Sequence, residues 1–161
     1  MIIDHKKLIA EIEIVLRNHK HESEEYGDGI KFTLTTSRPA GKLVIEISSK
    51  WVGYDFMLKE KINNNWIGYG EDTDLYALDF DPKVTMQIFD EVKSFLVDLL
   101  NGHVFIGNNN GQPITARLFD DDMYDVKSYR ISKWLKFVTI DYKQYKKNEI
   151  PATFALKPVK L

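Results

Sequence analysis

The sequence predicts an α+β domain in which one curved antiparallel sheet of about six strands carries two helices on one face. Runs of alternating apolar and polar residues lie before and after one long amphipathic helix, and a shorter amphipathic helix opens the chain. The predicted order is α-β-β-β(-β)-α-β-β-β. The 161 residues suffice for a single domain over 1–161 with a sizeable core and no cysteine crosslink.

The first helix is predicted from about His5 to His19, with Asp4 as its N-cap. One apolar stripe runs along it, formed by Leu8, Ile9, Ile12, Val15 and Leu16. The segment from Glu22 to Gly29 is polar and acidic and contains two glycines, which favours a loop.

Period-2 alternation then predicts antiparallel strands that each keep one polar face. The predicted strands are Lys31–Thr36, Lys42–Ser49, Tyr54–Ile62 and Trp66–Tyr69. Residues that tolerate turn geometry separate them at 37–41 and 63–65.

The second helix, from Pro82 to about Asn101, is the clearest element of the chain. Asp81 stands at the cap position, and Pro82 occupies the first helical position, where its missing N–H costs little. Gly102 suits the left-handed position that ends a helix. The apolar face is formed by Val84, Ile88, Val92, Phe95, Leu96, Leu99 and Leu100.

Strand patterns return after this helix. A pair is predicted at His103–Gly107 and Thr115–Phe119 around an Asn- and Gly-rich turn. The region Ser128–Tyr142 is long enough for a bent or bulged strand or for two strands. The basic tail 143–161 is expected either to add an edge strand through Thr153–Leu156 or to remain loosely packed.

Composition argues against several classes of function. The basic residues are eighteen Lys and four Arg in a chain of pI about 6.1, which disfavours binding to nucleic acid. The N-terminus lacks the pattern of a secretory signal, and no apolar run approaches the roughly 18 to 20 residues of a spanning helix. With no cysteine present, these features predict a cytoplasmic protein without membrane contact.

Charge is distributed very unevenly along the chain, although the net charge is only -2. Residues 71–125 carry twelve Asp and Glu against three Lys and Arg, and residues 126–161 carry nine Lys and Arg against two acids. Such segregation bears on the choice of partner rather than on the fold.

The first acidic cluster, residues 70–81, contains Glu71, Asp72 and Asp74, followed by the aromatic Tyr76. One interpretation is a docking surface, because carboxylates match a basic partner and aromatic rings supply rigid contact area. The other is a solvated loop whose last acids favour the N-terminus of the second helix.

The second acidic cluster consists of Asp120, Asp121, Asp122, Tyr124 and Asp125. Three interpretations remain open: an exposed turn, an acidic face shared with the first cluster, or a Ca²⁺ or Mg²⁺ site. The alternating acids and central glycine of an EF-hand loop are missing, which weakens the metal interpretation.

Known catalytic motifs are not found in the sequence. None of His5, His19, His21 and His103 stands at zinc-site spacing or beside a recognisable nucleophile motif. The glycines do not follow the strand-to-helix spacing of phosphate-binding loops. The sequence therefore predicts a protein that is not an enzyme, with no catalytic residue, cofactor or metal.

The leading hypothesis is a non-catalytic protein-binding module, a small bacterial inhibitor of the immunity type. Its acidic loops, with Tyr76 and Tyr124 as anchors, would occlude a basic partner such as a nuclease toxin. A monomer or a homodimer is expected. The alternatives are a chaperone for a secreted effector, and a small-ligand or divalent-metal domain or enzyme that uses the Asp clusters.

Overall fold

A computed structural model describes residues 3–37, 40–62, 65–72, 76–77, 81–131 and 138–161. For 60–62, 65–72, 76–77, 131 and 138 the description covers the backbone alone. Two α-helices and two antiparallel sheets confirm the predicted α+β class. Packing divides the chain into two compact units, 1–97 with Leu161 and 98–160, and the single domain stays a prediction. No described helix has the length and apolar character needed to cross a membrane.

The first unit contains helix α1, the first sheet and most of helix α2. Its elements are α1 (His5–Leu16), β1 (Glu22–Tyr26), β2 (Gly29–Ser37), β3 (Ala40–Ile47), β4 (Trp51–Ile62), β5 (Asn65–Asp72), β6 (Tyr76–Ala77) and α2 (Pro82–Leu100). The strands lie in the order β1-β2-β3-β4-β5, and β6 pairs with β4. The expected caps are present, because Asp4 accepts the Lys6 N–H at 3.1 Å and Asp81 accepts the Lys83 N–H at 2.9 Å.

The core of the first unit lies between the helices and one face of this sheet. The Phe95 ring of α2 stacks on Tyr54 at 4.7 Å and packs against Phe56 at 5.2 Å, measured between centroids. Helix α1 lies against β3, and its Glu11 carboxylate meets the Lys93 ammonium of α2 at 2.6 Å. Apolar side chains of the helices thus face the sheet, and a charged pair joins one helix to the other.

Strand β1 corrects the predicted loop at Glu22–Gly29. The strand pairs with β2 from Glu22 opposite Thr33 to Tyr26 opposite Gly29, which leaves a two-residue turn whose Gly27 has a φ of 57°. Nearly all of β1 is exposed. Because neither face of the strand is buried, its sequence lacks the alternation that identifies a strand.

The prediction of a single sheet was wrong, because the strands after α2 form a sheet of their own. Its strands are β7 (Val104–Asn109), β8 (Gln112–Phe119), β9 (Met123–Ile131), β10 (Val138–Lys146) and β11 (Lys157–Pro158), in the order β10-β9-β8-β7-β11. The long region Ser128–Tyr142 is thus two strands, with 132–137 outside the described residues. Periodicity identifies strands but not their partners, and short hairpins pair β7, β8 and β9 with one another.

The C-terminal tail covers one face of the second sheet. After two short 3₁₀ helices, Lys147–Glu149 and Ala152–Phe154, the strand β11 pairs with β7. The predicted edge strand at Thr153–Leu156 is therefore displaced toward the C-terminus. Phe154 is 5% exposed and joins a cluster formed by Ile114, Ala116, Tyr124 and Val126. The backbone oxygen of Phe154 passes so close to Gly107 that a side chain there would collide with it.

Candidate partner-binding surface

The first acidic cluster is partly strand rather than loop. Glu71 and Asp72 end β5, where they pair with Phe56 and Asp55 of β4, and Tyr76 pairs with Val52 through β6. Asp74 lies outside the described residues. The backbone register places Asp72 at the position directly opposite the exposed Asp55.

The second acidic cluster begins at the tip of the β8–β9 hairpin. Asp120, Asp121 and Asp122 connect Phe119 to its pairing partner Met123, and all three are exposed. The backbone is left-handed at Asp120 (φ 49°) and Asp121 (φ 59°), a conformation that Asp and Asn tolerate better than most residues. The Asp122 N–H donates to the Asp120 carbonyl at 2.7 Å, which closes the turn. The turn geometry thus explains short polar residues there, but it does not require their charge.

Tyr124 and Asp125 do not extend this turn as a continuous acidic surface. Tyr124 is 7% exposed and packs edge-on against Phe105 with 5.4 Å between ring centroids. It contributes to the core of the second sheet and not to an outward-facing anchor. Asp125 is exposed, and its carboxylate accepts a hydrogen bond from the Gln144 amide at 2.9 Å.

Two other carboxylates of the second unit, those of Asp98 and Asp141, are paired with cations. Asp98 accepts the Arg117 Nε–H at 2.5 Å, with side-chain exposures of 20% and 14%, and the Asp98 carboxylate is also 3.7 Å from His103 Nδ1. Asp141 lies 2.9 Å from Arg130 at an exposed position. The carboxylates of 120–122, by contrast, have no hydrogen-bond or ion-pair partner among the described residues.

The described contacts between the basic tail and the acidic turn are made by the backbone. Lys146 of β10 is opposite Met123, and the Lys147 N–H donates to the Asp122 carbonyl at 2.6 Å. These are backbone contacts, and they fix the turn to the start of the tail. Within the tail, the Lys143 ammonium lies 4.8 Å from the Tyr145 ring centroid.

Strand β1 carries a further group of exposed carboxylates, which is neither of the two acidic clusters identified in the sequence. Glu22, Glu24 and Glu25 are exposed on this edge strand of the first sheet. Behind them, the Lys31 ammonium lies 3.3 Å from the Glu46 carboxylate. The three glutamates are visible in the sequence as a polar acidic run, but the exposed edge becomes evident only from the pairing of β1 with β2.

The β1–β2 turn contains Asp28, an exposed carboxyl group with a lowered pKa. A hydrogen bond from the Ser49 side chain is the main cause that lowers the pKa of Asp28. The backbone of the same residue is also contacted, because His5 Nε2 lies 3.1 Å from the Asp28 carbonyl oxygen.

A shallow cleft of about 210 Å³ lies on the second sheet, on the face that also carries the apolar cluster around Phe154. The ion pair of Arg130 and Asp141 stands at its side, and Lys143 contributes a second cation. The lining residues are Asn109, Gln112, Val126, Ser128, Arg130, Asp141, Lys143 and Tyr145. They come from four strands, so no local sequence motif predicts the cleft. Within the described ranges, no three of His, Cys, Asp and Glu come together as metal ligands.

Comparison with known proteins gives no relative from which to transfer a function. The chain matches no protein-family model, and neither a curated protein nor a solved structure matches it significantly.

The two acidic clusters belong to different units of the chain. The first unit contains Glu71, Asp72 and Tyr76, and the second contains Asp120–Asp122, Tyr124 and Asp125. That the two clusters form one acidic face stays a prediction.

Proposed function

We propose that this chain is a non-catalytic protein-binding module of the bacterial inhibitor or immunity type. It acts in the cytoplasm on a basic protein such as a nuclease toxin. The observation that carries the proposal is the contrast among carboxylates of the second unit. Asp98, Asp125 and Asp141 each have a partner within the chain, whereas Asp120–Asp122 present three adjacent charges without one among the described residues.

The hairpin tip is suited to this role because its backbone is held in place. The closing pair of Phe119 and Met123, the bond within the turn and the bond from Lys147 leave the carboxylates pointing from a fixed base. A preorganised group loses less conformational entropy on binding. Adjacent carboxylates also attract a basic partner over a distance, which speeds its association and makes binding sensitive to salt.

The mechanism is occlusion of the partner's anion-binding surface. A nuclease holds phosphates with Lys and Arg, and carboxylates placed there compete with the substrate for the same cations. Tyr124, which lies in the core, has no part in this contact, and Asp125 contributes at the edge of the surface. Glu71, Asp72, Asp74 and Tyr76 remain the proposed second part of the surface.

The test neutralises the turn without disturbing its geometry. The variant D120N/D121N/D122N removes three charges and keeps residues that tolerate the left-handed backbone. A matched control, E22Q/E24Q/E25Q, removes three exposed charges from β1 instead. Both variants and the wild type are used to capture proteins from bacterial lysate across a salt series.

The proposal expects a basic protein that the wild type and the β1 variant retain at low salt. The turn variant should lose it by at least about tenfold. Equal retention by the turn variant would exclude the hairpin tip as the binding surface. Loss with the β1 variant alone would move the site to the first sheet.

The cleft of the second sheet favours one other candidate function, the binding of a small anionic ligand. Arg130 and Lys143 supply cations at its rim, and polar side chains line it. Thermal denaturation with a panel of small carboxylates and phosphates tests this function, because a ligand that binds only the native state raises its melting temperature. A rise that R130Q abolishes would support it, and no rise with any member would reject it. The same assay with Ca²⁺, Mg²⁺ and Mn²⁺ tests the metal alternative, and the chaperone alternative requires a dimer.

A further inference from the structure

Strand β10 is an exposed edge of the second sheet. Its one pairing partner within the described part of the chain is β9. The residues from 139 to 144 are exposed, and Ile140 and Tyr142 keep 40% and 69% of their surface in solvent. An edge strand of nine residues offers a row of N–H and C=O groups to a further strand.

Opposite charges flank the central residue of β10. Tyr142 is the middle residue of Val138–Lys146, with Asp141 before it and Lys143 after it. When a strand pairs antiparallel with its own copy about a two-fold axis, one residue lies opposite its equivalent and the flanking residues exchange partners. An axis at Tyr142 therefore places Asp141 opposite the partner's Lys143, and this happens twice.

Neighbouring registers lose this complementarity. An axis at Asp141 would place two carboxylates opposite each other, and an axis at Lys143 would do the same with two ammonium groups. Like charges directly opposite each other destabilise a strand pair, and opposite charges stabilise it. The axis at Tyr142 is also the one that pairs all nine residues of the strand.

We infer that two copies of this chain associate through β10, antiparallel about Tyr142, so that their second sheets become one continuous sheet. This inference stands independently of the proposed function. We assign a second copy to this edge because, about Tyr142, the charges of the strand are complementary to those of its own copy. Charged residues that only guard an edge against association would be expected to repel their own copy.

The surroundings of Asp141 and Tyr142 agree with this arrangement. Asp141 already lies 2.9 Å from Arg130 on its β9 side, so the partner's Lys143 approaches from the other side and extends the pair to a network of three charges. On the opposite face of the sheet, Tyr142 meets the partner's Tyr142, with the Lys127 ammonium 5.5 Å from its ring centroid. Paired aromatic rings add to the apolar area removed from water.

Charge reversal on β10 tests the inference. Sedimentation equilibrium of the full chain up to about 100 μM should show a dimer, since a complex with a micromolar Kd is largely formed there. K143D places two carboxylates opposite each other in both pairs, and D141K does the same with two ammonium groups. Each variant alone should weaken dimerisation by about tenfold or more.

An equimolar mixture of D141K and K143D restores opposite charges in both pairs and should dimerise again. K157D, an equal charge change on the other edge of the sheet, is the matched control and should leave the dimer intact. K143D also leaves the pair of Arg130 and Asp141 in place, so a thermal melt that resembles the wild type separates lost association from lost folding. A wild-type monomer throughout the concentration series, or a dimer that neither reversal weakens, would overturn the inference.

Discussion

Asp98 and the turn Asp120–Asp122 both belong to the second unit, and they carry their charge under opposite conditions. Asp98 is one-fifth exposed and holds Arg117 at 2.5 Å, in a position where an unpaired charge would be costly. Asp120–Asp122 are exposed and lack a described partner. The charge of Asp98 stabilises the fold, whereas the fold requires only the backbone conformation of the turn Asp120–Asp122 and not its charge.

A second hairpin in the same sheet supports this distinction. The β7–β8 turn also needs two left-handed residues, and there Asn110 (φ 52°) and Gly111 (φ 83°) supply them without charge. Left-handed geometry in this sheet is therefore compatible with neutral residues. The charge of the β8–β9 turn calls for a reason outside the turn, and binding a basic partner is the reason that we propose.

The largest expected effect comes from removing the charge of Asp98, the carboxylate that is paired with Arg117. D98N leaves the mostly buried Arg117 guanidinium without its carboxylate, and we expect a loss of about 2–3 kcal/mol in the free energy of unfolding. Urea denaturation measures it. D125N, which changes an exposed carboxylate of the same unit, should stay within about 0.5 kcal/mol of the wild type. Equal losses in the two variants would remove the distinction.

A smaller effect separates the geometry of the acidic turn from its charge. D121V forces a β-branched residue into a left-handed conformation and should cost about 1–2 kcal/mol. D121N removes the same charge but suits the backbone, so its cost should be near zero. The two unfolding curves measured side by side give the contribution of shape, and coincident curves would show that the turn tolerates any residue.

The turn as a whole should contribute very little to stability. D120N/D121N/D122N is expected to change the free energy of unfolding by less than about 0.5 kcal/mol. Because neighbouring carboxylates repel each other, added salt should stabilise the wild type slightly more than the variant. Unfolding at low and high salt measures this difference. A marked loss of stability in the variant would mean that the charges have a structural partner.

Asp28 sharpens the comparison as an acid that is both exposed and hydrogen-bonded. Its pKa is lowered in the folded state, so its stabilising contribution is present above the ordinary Asp pKa of about 3.9. That contribution is lost as the pH falls through the lowered folded value. Melting temperatures between neutral and strongly acidic pH should converge for wild type and S49A at the acidic end. Curves separated by a constant gap would contradict the assignment to Ser49.

Local signals predicted the helices and most of the strand segments. Asp4, Asp81 and Gly102 lie at helix ends where side-chain and backbone preferences act over a few residues. Strands β2 and β3 were predicted because one of their faces is buried and the other is not. In these elements the local structure is determined by residues that are close in the sequence, so the sequence pattern is enough to predict it.

The remaining features depend on contacts between distant residues. The acidic run Glu22–Tyr26 forms a strand because β2 pairs with it, and Tyr124 is buried because Phe105 and the tail cover it. The division into two sheets follows from which strands pair, which periodicity does not encode. Of the candidate site, an exposed turn at 120–122 was one of three interpretations of the sequence, whereas the lack of partners among the described residues emerged only from the structure.

The tail that crosses Gly107 also sets an order of events during synthesis. The strands of the first sheet are complete before the ribosome reaches Asp98, but the apolar cluster around Ile114 and Val126 is incomplete until Phe154 has been made. For that interval the nascent second sheet exposes apolar surface, the condition under which partly folded chains aggregate or engage chaperones. Completion of the apolar cluster in the second unit thus waits for the segment that contains Phe154, which is made after the hairpins of the sheet.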